Sequence, residues 1–201
     1  MQKSEWVYRE LLYQRLEKKR YQFTQLAIAK KLRISLSTVN HALVPLETMG
    51  AIVKTPMGLK LLDPKKLLFL WASKRTLNRQ VIFQTRADLF IPQIEKNMPS
   101  GIVYAAYSAY KFKFEDVPAD YGEVYVYATE ETLKEIKRRF PEKGGPPNLF
   151  VLQADSFLPQ TAEGGICSMG NMFVDVWNIR TWYAKEFLRA LEKRIEEAIG
   201  K

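Results

Sequence analysis

A chain of 201 residues with 47% hydrophobic and 12% aromatic content carries enough apolar side chains for one large or two modest cores, which excludes a disordered chain. The net charge is +9, and residues 1–79 hold 16 of the 31 Lys and Arg but only 5 of the 22 Asp and Glu, so an anionic partner is expected at that end. One cysteine, Cys167, excludes an internal disulfide, and one histidine, His41, leaves too few soft ligands for a zinc site, so neither metal nor cofactor is expected.

In chain order, Ser4 can cap a helix reaching about Lys19, with Val7, Leu11, Leu12 and Leu16 on one side. Thr24 can cap a second helix over Gln25 to Leu32. After Arg33-Ile34-Ser35 a third helix opens with Ser37 and Thr38 and buries Val39, Leu43 and Leu46. That spacing leaves Ser37, Thr38, Asn40 and His41 outward. Two helices joined by so short a turn read as a helix-turn-helix. Small polar groups at the start of an exposed helix suit a DNA major groove, where hydroxyls hold phosphates and Asn can bond adenine N6 and N7. Arg33 stands where such turns usually carry Gly, and Pro45 predicts a kink between His41 and itself. Met49-Gly50 then stops the helix. Ala51–Thr55, Pro56-Met57-Gly58 and Leu59–Leu62 read as strand, type I turn and strand, a wing with Lys54 and Lys60 flanking its tip.

Asp63-Pro64 starts a helix running to about Arg75, whose apolar surface requires cover from a second domain or a partner subunit, which leaves a homodimer open. The domain boundary is placed near residue 78. Beyond it, Gln80–Arg86 predicts a strand, Asp88–Asn97 a helix, and Ile102–Tyr110, with tyrosines at 104, 107 and 110, another helix. Val124 and Val126 alternating with Tyr125 and Tyr127 predict a strand that ends at Thr129, Glu130–Phe140 a helix capped by Thr129, and Leu149–Leu152 a strand buried on both faces, together a βαβ unit with parallel strands. Two helices follow, about 169–178 and 181–199. The expected fold is therefore α/β in two domains. A winged helix-turn-helix fills residues 1–78, and a mixed α/β domain with a small, partly parallel sheet flanked by helices fills residues 79–201.

Candidate chemistry is sparse. The paired strand carboxylates that hold magnesium for nucleotidyl transfer do not occur, nor does a phosphate loop or a nucleophile elbow. Cys167 and Ser168 have no histidine near in the sequence, and Ser168 reads as a helix cap. Asp175 interrupts an otherwise apolar helix and is expected to pair with Arg180 or Arg189. Packing into the core is the reading for the three tyrosines. The N-terminus lacks the apolar core of a signal peptide, and the longest apolar run, Leu67–Ala72, is too short for a bilayer, so no membrane association and a cytoplasmic location are expected.

The N-terminal arrangement resembles the winged helix-turn-helix of bacterial and archaeal transcription regulators. With the connector Leu62–Trp71, the run Tyr107-Ser-Ala109, Phe173-Val-Asp175 and Tyr183-Ala-Lys-Glu186, the chain resembles the AbiEi type of antitoxin and transcription regulator of type IV toxin-antitoxin systems. That resemblance implies repression of its own operon through the winged helix, antitoxin activity in the C-terminal domain, and a separate nucleotidyltransferase-like toxin as partner. The expectation is a non-enzymatic, sequence-specific binder of double-stranded DNA. Ser37, Thr38, Asn40 and His41 would meet bases or phosphates, and Lys30, Lys31, Ser35, Lys54 and Lys60 would hold the backbone. Its rivals are a nucleic-acid-processing enzyme using the α/β domain and an RNA-binding or protein-binding module.

Overall fold

The computed structural model describes residues 1–200. Helix α1 spans Lys3–Leu16, with Gln2 as its N-cap. Glu5 turns back to accept the Gln2 N–H at 3.0 Å, a bond that a start at Ser4 would lose because Val7 would then occupy the third helical position. Burial goes well beyond one stripe: Glu5, Arg9 and Glu10 are buried along with Val7, Tyr8, Leu11, Leu12 and Leu16.

The next elements are β1 (Gln22–Phe23), α2 (Gln25–Leu32), α3 (Leu36–Thr48), β2 (Ile52–Thr55) and β3 (Gly58–Leu61). The strands form an antiparallel sheet in the order β1-β3-β2, with Thr55 opposite Gly58, so Pro56 and Met57 make a two-residue turn. Strand β1 is too short to show a period. Gly58 holds it in place, because at φ 141° a Cβ there would lie 2.1 Å from the Phe23 carbonyl oxygen.

Helix α4 (Pro64–Lys74) is capped by Asp63, whose carboxylate accepts the Lys66 N–H at 3.0 Å. Its buried residues Leu67, Leu68 and Trp71 are covered by α1 and by a helix from the far end of the chain. Residue 78 lies in the 3-10 turn Leu77–Gln80 that leads to β4 (Val81–Thr85). There follow α5 (Ile91–Lys96), β5 (Val103–Ala105), α6 (Ala106–Phe114), β6 (Val124–Ala128), α7 (Glu130–Arg139), β7 (Leu149–Gln153), α8 (Met169–Trp177) and α9 (Ala184–Gly200).

The second sheet has the order β4-β7-β6-β5. Strands β6 and β7, joined by α7, are parallel as their spacing requires, and the outer pairs are antiparallel. The fold is of the α/β class, with this mixed sheet and the smaller antiparallel one. Two expectations change. The run 102–110 is split, because Val103–Ala105 pairs with Tyr125–Tyr127 and the helix begins only after it. The helix expected from Asp88 begins at Ile91, since Asp88 forms ion pairs with Arg86 and Lys143 and Pro92 sits in the first turn.

Both faces of the second sheet are covered. Val124, Val126 and Ala128 pack with Ile94 and Ile136 of α5 and α7, whereas Tyr125 and Tyr127 join the larger core. That larger core is continuous from Leu43 and Leu59 through Leu11 and Leu12 of α1 to Phe173 and Phe187 of α8 and α9. Close approach of α8 to α1 depends on Gly170, where a Cβ would come within 3.0 Å of the Leu12 side chain.

Candidate nucleic-acid interface

Two caps and one left-handed residue position the exposed helix. Thr24 Oγ1 accepts the Ala27 N–H at 3.1 Å, starting α2 where the sequence places it. Arg33 then takes φ 48° and ψ 43°, the left-handed conformation that a glycine would occupy at least cost. Ser35 caps α3: its Oγ accepts the Thr38 N–H at 3.1 Å and lies 2.8 Å from Thr38 Oγ1. The helix therefore starts at Leu36, and these two hydroxyls engage each other before any ligand.

Val39, Ala42, Leu43 and Leu46 of α3 are buried, while Ser37, Asn40, His41, Val44 and Thr48 are exposed on the opposite stripe. Leu36 and Val44 are about half exposed there, at 50% and 47%. Pro45 sits inside α3, and the helix continues past it to Thr48. Beside this stripe stands the β2–β3 hairpin, whose tip residue Met57 is 91% exposed. A shallow groove between them is lined by Leu26, Leu36, Lys54 and the turn residues.

The cations divide into two groups. Lys31 pairs with Glu10 at 2.6 Å and Lys54 with Glu47 at 2.6 Å. Lys30, Arg33 and Lys60 have no acidic partner within ion-pair distance among the described residues. Lys60 is not at the hairpin tip: it is half-buried on the central strand β3, opposite Gln22 of β1 and Val53 of β2. In the sequence Arg33 reads only as the occupant of a turn. Its exposure and free charge beside the N-terminus of α3 add it to the candidates; a cation in the turn ahead of the helix was the available signal.

The residues weighed for other chemistry are tied up inside the fold. Cys167 is fully buried, and burial pushes its thiol pKa well up, away from the thiolate. Ser168 caps α8 through the Asn171 N–H. Tyr107 and Tyr110 are core residues, and Tyr104 lies half-buried on β5. Asp175 pairs with neither Arg180 nor Arg189. Its Oδ1 accepts from Arg75 at 3.1 and 3.3 Å, and its Oδ2 accepts from Tyr127 Oη at 2.6 Å and Asn171 Nδ2 at 2.7 Å. Arg75 also donates to Glu5 at 3.2 Å and Tyr127 at 2.7 Å. Burial raises the Asp175 pKa, although Arg75 and Tyr127 pull it down. Among the described residues no group of three metal-binding side chains occurs, and no helix is long and apolar enough to cross a membrane.

Comparison with known protein families, with curated proteins and with solved structures returns no match for this chain.

Proposed function

We propose that residues 1–78 act as a winged helix-turn-helix and that the protein is a sequence-specific, non-enzymatic regulator binding double-stranded DNA. The observation that carries this reading is the exposed stripe Ser37, Asn40, His41 and Val44 on a helix backed by the core and flanked by a hairpin. Asn40 and His41 offer hydrogen bonds to base edges, and Val44 offers an apolar contact of the kind thymine methyl groups accept. Lys30, Arg33 and Lys60 supply cations for phosphates, while Lys31 and Lys54 must first release Glu10 and Glu47. The antitoxin role, opposite a nucleotidyltransferase-like toxin, belongs in this proposal to the second half of the chain and rests on its resemblance to the AbiEi type.

Fluorescence anisotropy on duplex DNA from upstream of the gene, against a scrambled duplex across a salt series, tests it. A preference for the upstream duplex is expected, with Asn40→Ala and His41→Ala each losing about 1–3 kcal/mol on that duplex and little on the scrambled one. Equal, steeply salt-dependent affinity for both duplexes would remove sequence specificity from the proposal. Tighter binding to single strands would replace it with an RNA-binding reading.

A further inference from the structure

A second concavity lies behind the exposed helix, between α1, α2 and the small sheet. Its volume is about 480 Å³, within the size range of small-molecule sites. Phe23, Ile28 and Leu59 form an apolar floor, and Arg20, Lys31 and Lys60 line the same pocket. One carboxylate, Glu10, stands among them. It offers the pocket no free negative charge: its side chain is 5% exposed, one oxygen takes the Lys31 ammonium at 2.6 Å, and the other, Oε2, is buried without a partner among the described residues. Arg20 and Lys60 have no acidic partner within ion-pair distance among the described residues. The wall therefore holds unanswered positive charge beside an apolar floor. The register of the small sheet separates the two. Across β1 and β3, Phe23 stands opposite Leu59 and Gln22 opposite Lys60, and neighbouring residues of a strand point to opposite faces. Ile28 and Leu59 belong to the core with Phe23 packed against it, whereas Lys60 is half-buried and Arg20 exposed. The pocket reaches both pairs round the edge strand β1, with its apolar part inward and its cations outward.

The geometry points to a regulatory site for a small organic anion with an apolar body, a ring or branched chain ending in a carboxylate. The body lies on Phe23, Ile28 and Leu59. The carboxylate meets Lys60 and Arg20, whose planar fork of donors matches its two oxygens. A DNA phosphodiester fits the site less well, because it has nothing apolar to place on that floor. Lys31 and Lys60 are also cations that the DNA-binding proposal gives to phosphates. An anion held beside them cancels charge that would otherwise meet the duplex, so occupancy weakens DNA binding. This coupling rests on the DNA-binding reading; the binding of the carboxylate does not.

The test titrates the full-length protein with 3-phenylpropanoate at matched ionic strength, followed by calorimetry and by amide chemical shifts. Phenethylamine carries the same ring with the opposite charge, and acetate and inorganic phosphate carry negative charge without the ring. 3-Phenylpropanoate is expected to bind about tenfold or more tightly than any of the three, with shifts at Phe23, Ile28 and Leu59. Arg20→Ala, at an exposed position, and Lys60→Gln should each weaken it severalfold and leave phenethylamine no weaker. No saturable shift up to about 10 mM overturns the site. Acetate or phosphate binding as tightly as 3-phenylpropanoate overturns the apolar body and leaves an adventitious ion only, and phenethylamine binding as tightly overturns the anion. Duplex affinity is then measured with and without saturating 3-phenylpropanoate, against an equal concentration of sodium chloride. A fall of about threefold or more is expected, and it should be smaller in Arg20→Ala at the same ligand concentration, because that variant loses the carboxylate and keeps Lys31 and Lys60. Unchanged duplex affinity in a protein that holds the carboxylate overturns the coupling. Carboxylate binding by a protein that ignores duplex DNA leaves the pocket standing and removes the regulator, whereas duplex binding without carboxylate binding does the reverse.

Discussion

Arg75 is the hinge of the buried polar cluster, and replacing it by Met tests the account of how the two halves of the chain are joined. Its side chain is 1% exposed and reaches Glu5 on α1, Tyr127 on β6 and Asp175 on α8 from the C-terminal end of α4. Burial lowers its pKa, but Tyr127, Asp175 and Glu5 raise it more, so the guanidinium stays protonated. Met fills similar space without a charge, which leaves Asp175, 0% exposed, facing only Tyr127 and Asn171. Breaking a buried pair in this way costs about 3–5 kcal/mol, a large share of the roughly 5–15 kcal/mol that holds a typical domain together. Urea unfolding followed by circular dichroism should show that loss in Arg75→Met. The double variant Arg75→Met/Asp175→Leu should be less destabilised than the two single losses added together, since the more deeply buried of the two stranded carboxylates, Asp175 and Glu5, is gone. Asp175 also sets the pH dependence. Its folded pKa lies above the ordinary value of 3.8, so its ionised form is the costly one in the folded state. That cost is full above the folded pKa and is relieved as pH falls through it. Removing Arg75 raises this pKa further, so the deficit of Arg75→Met should shrink as pH falls through it toward the ordinary carboxylate range. A loss below about 1 kcal/mol at neutral pH, or additivity of the two single variants within about 0.5 kcal/mol, would show that Arg75 and Asp175 are not a coupled buried pair.

Two further outcomes follow from single contacts. Gly58→Ala should destabilise by about 2–3 kcal/mol, since its Cβ collides with the Phe23 carbonyl. Amide exchange should quicken at Leu61, whose N–H donates to the Tyr21 carbonyl at 2.9 Å; unchanged stability would show that β1 is not anchored there. At Asp155, burial pushes the pKa up, but Arg9, bidentate at 2.7 and 2.8 Å, holds it below 3.8. Its contribution is therefore present above about pH 3.8 and is lost as pH falls through the folded pKa. Asp155→Asn should cost about 1.5–3 kcal/mol near neutrality, with the gap to the unsubstituted protein closing in acid. A gap that persists at low pH would place the cost in packing instead of charge.

What the sequence determined by itself is the local structure. Thr24, Asp63, Thr129 and Ser168 each cap the helix they precede, because a cap needs only a side-chain oxygen and an N–H three residues on. The apolar run at Leu149–Leu152 and the helix after Thr129 placed β6 and β7 parallel, since a helical crossover of this length returns the chain to the same end of the sheet. Where two local signals overlapped, as at Tyr104, the pairing of Val103–Ala105 with β6 overrode a tyrosine spacing that holds only for Tyr107 and Tyr110. Tertiary structure decided the charges. Arg180 and Arg189 are near Asp175 in sequence, yet its partner is Arg75, a hundred positions away. The pairing of Lys31 with Glu10 and of Lys54 with Glu47 leaves no mark in the sequence, where both lysines look free for phosphate. The unpartnered oxygen of Glu10 was equally invisible. Periodicity reports which face of a helix is apolar, but only the packing of α1 between α2 and α8 shows that a carboxylate on that helix is buried and which of its two oxygens is left over.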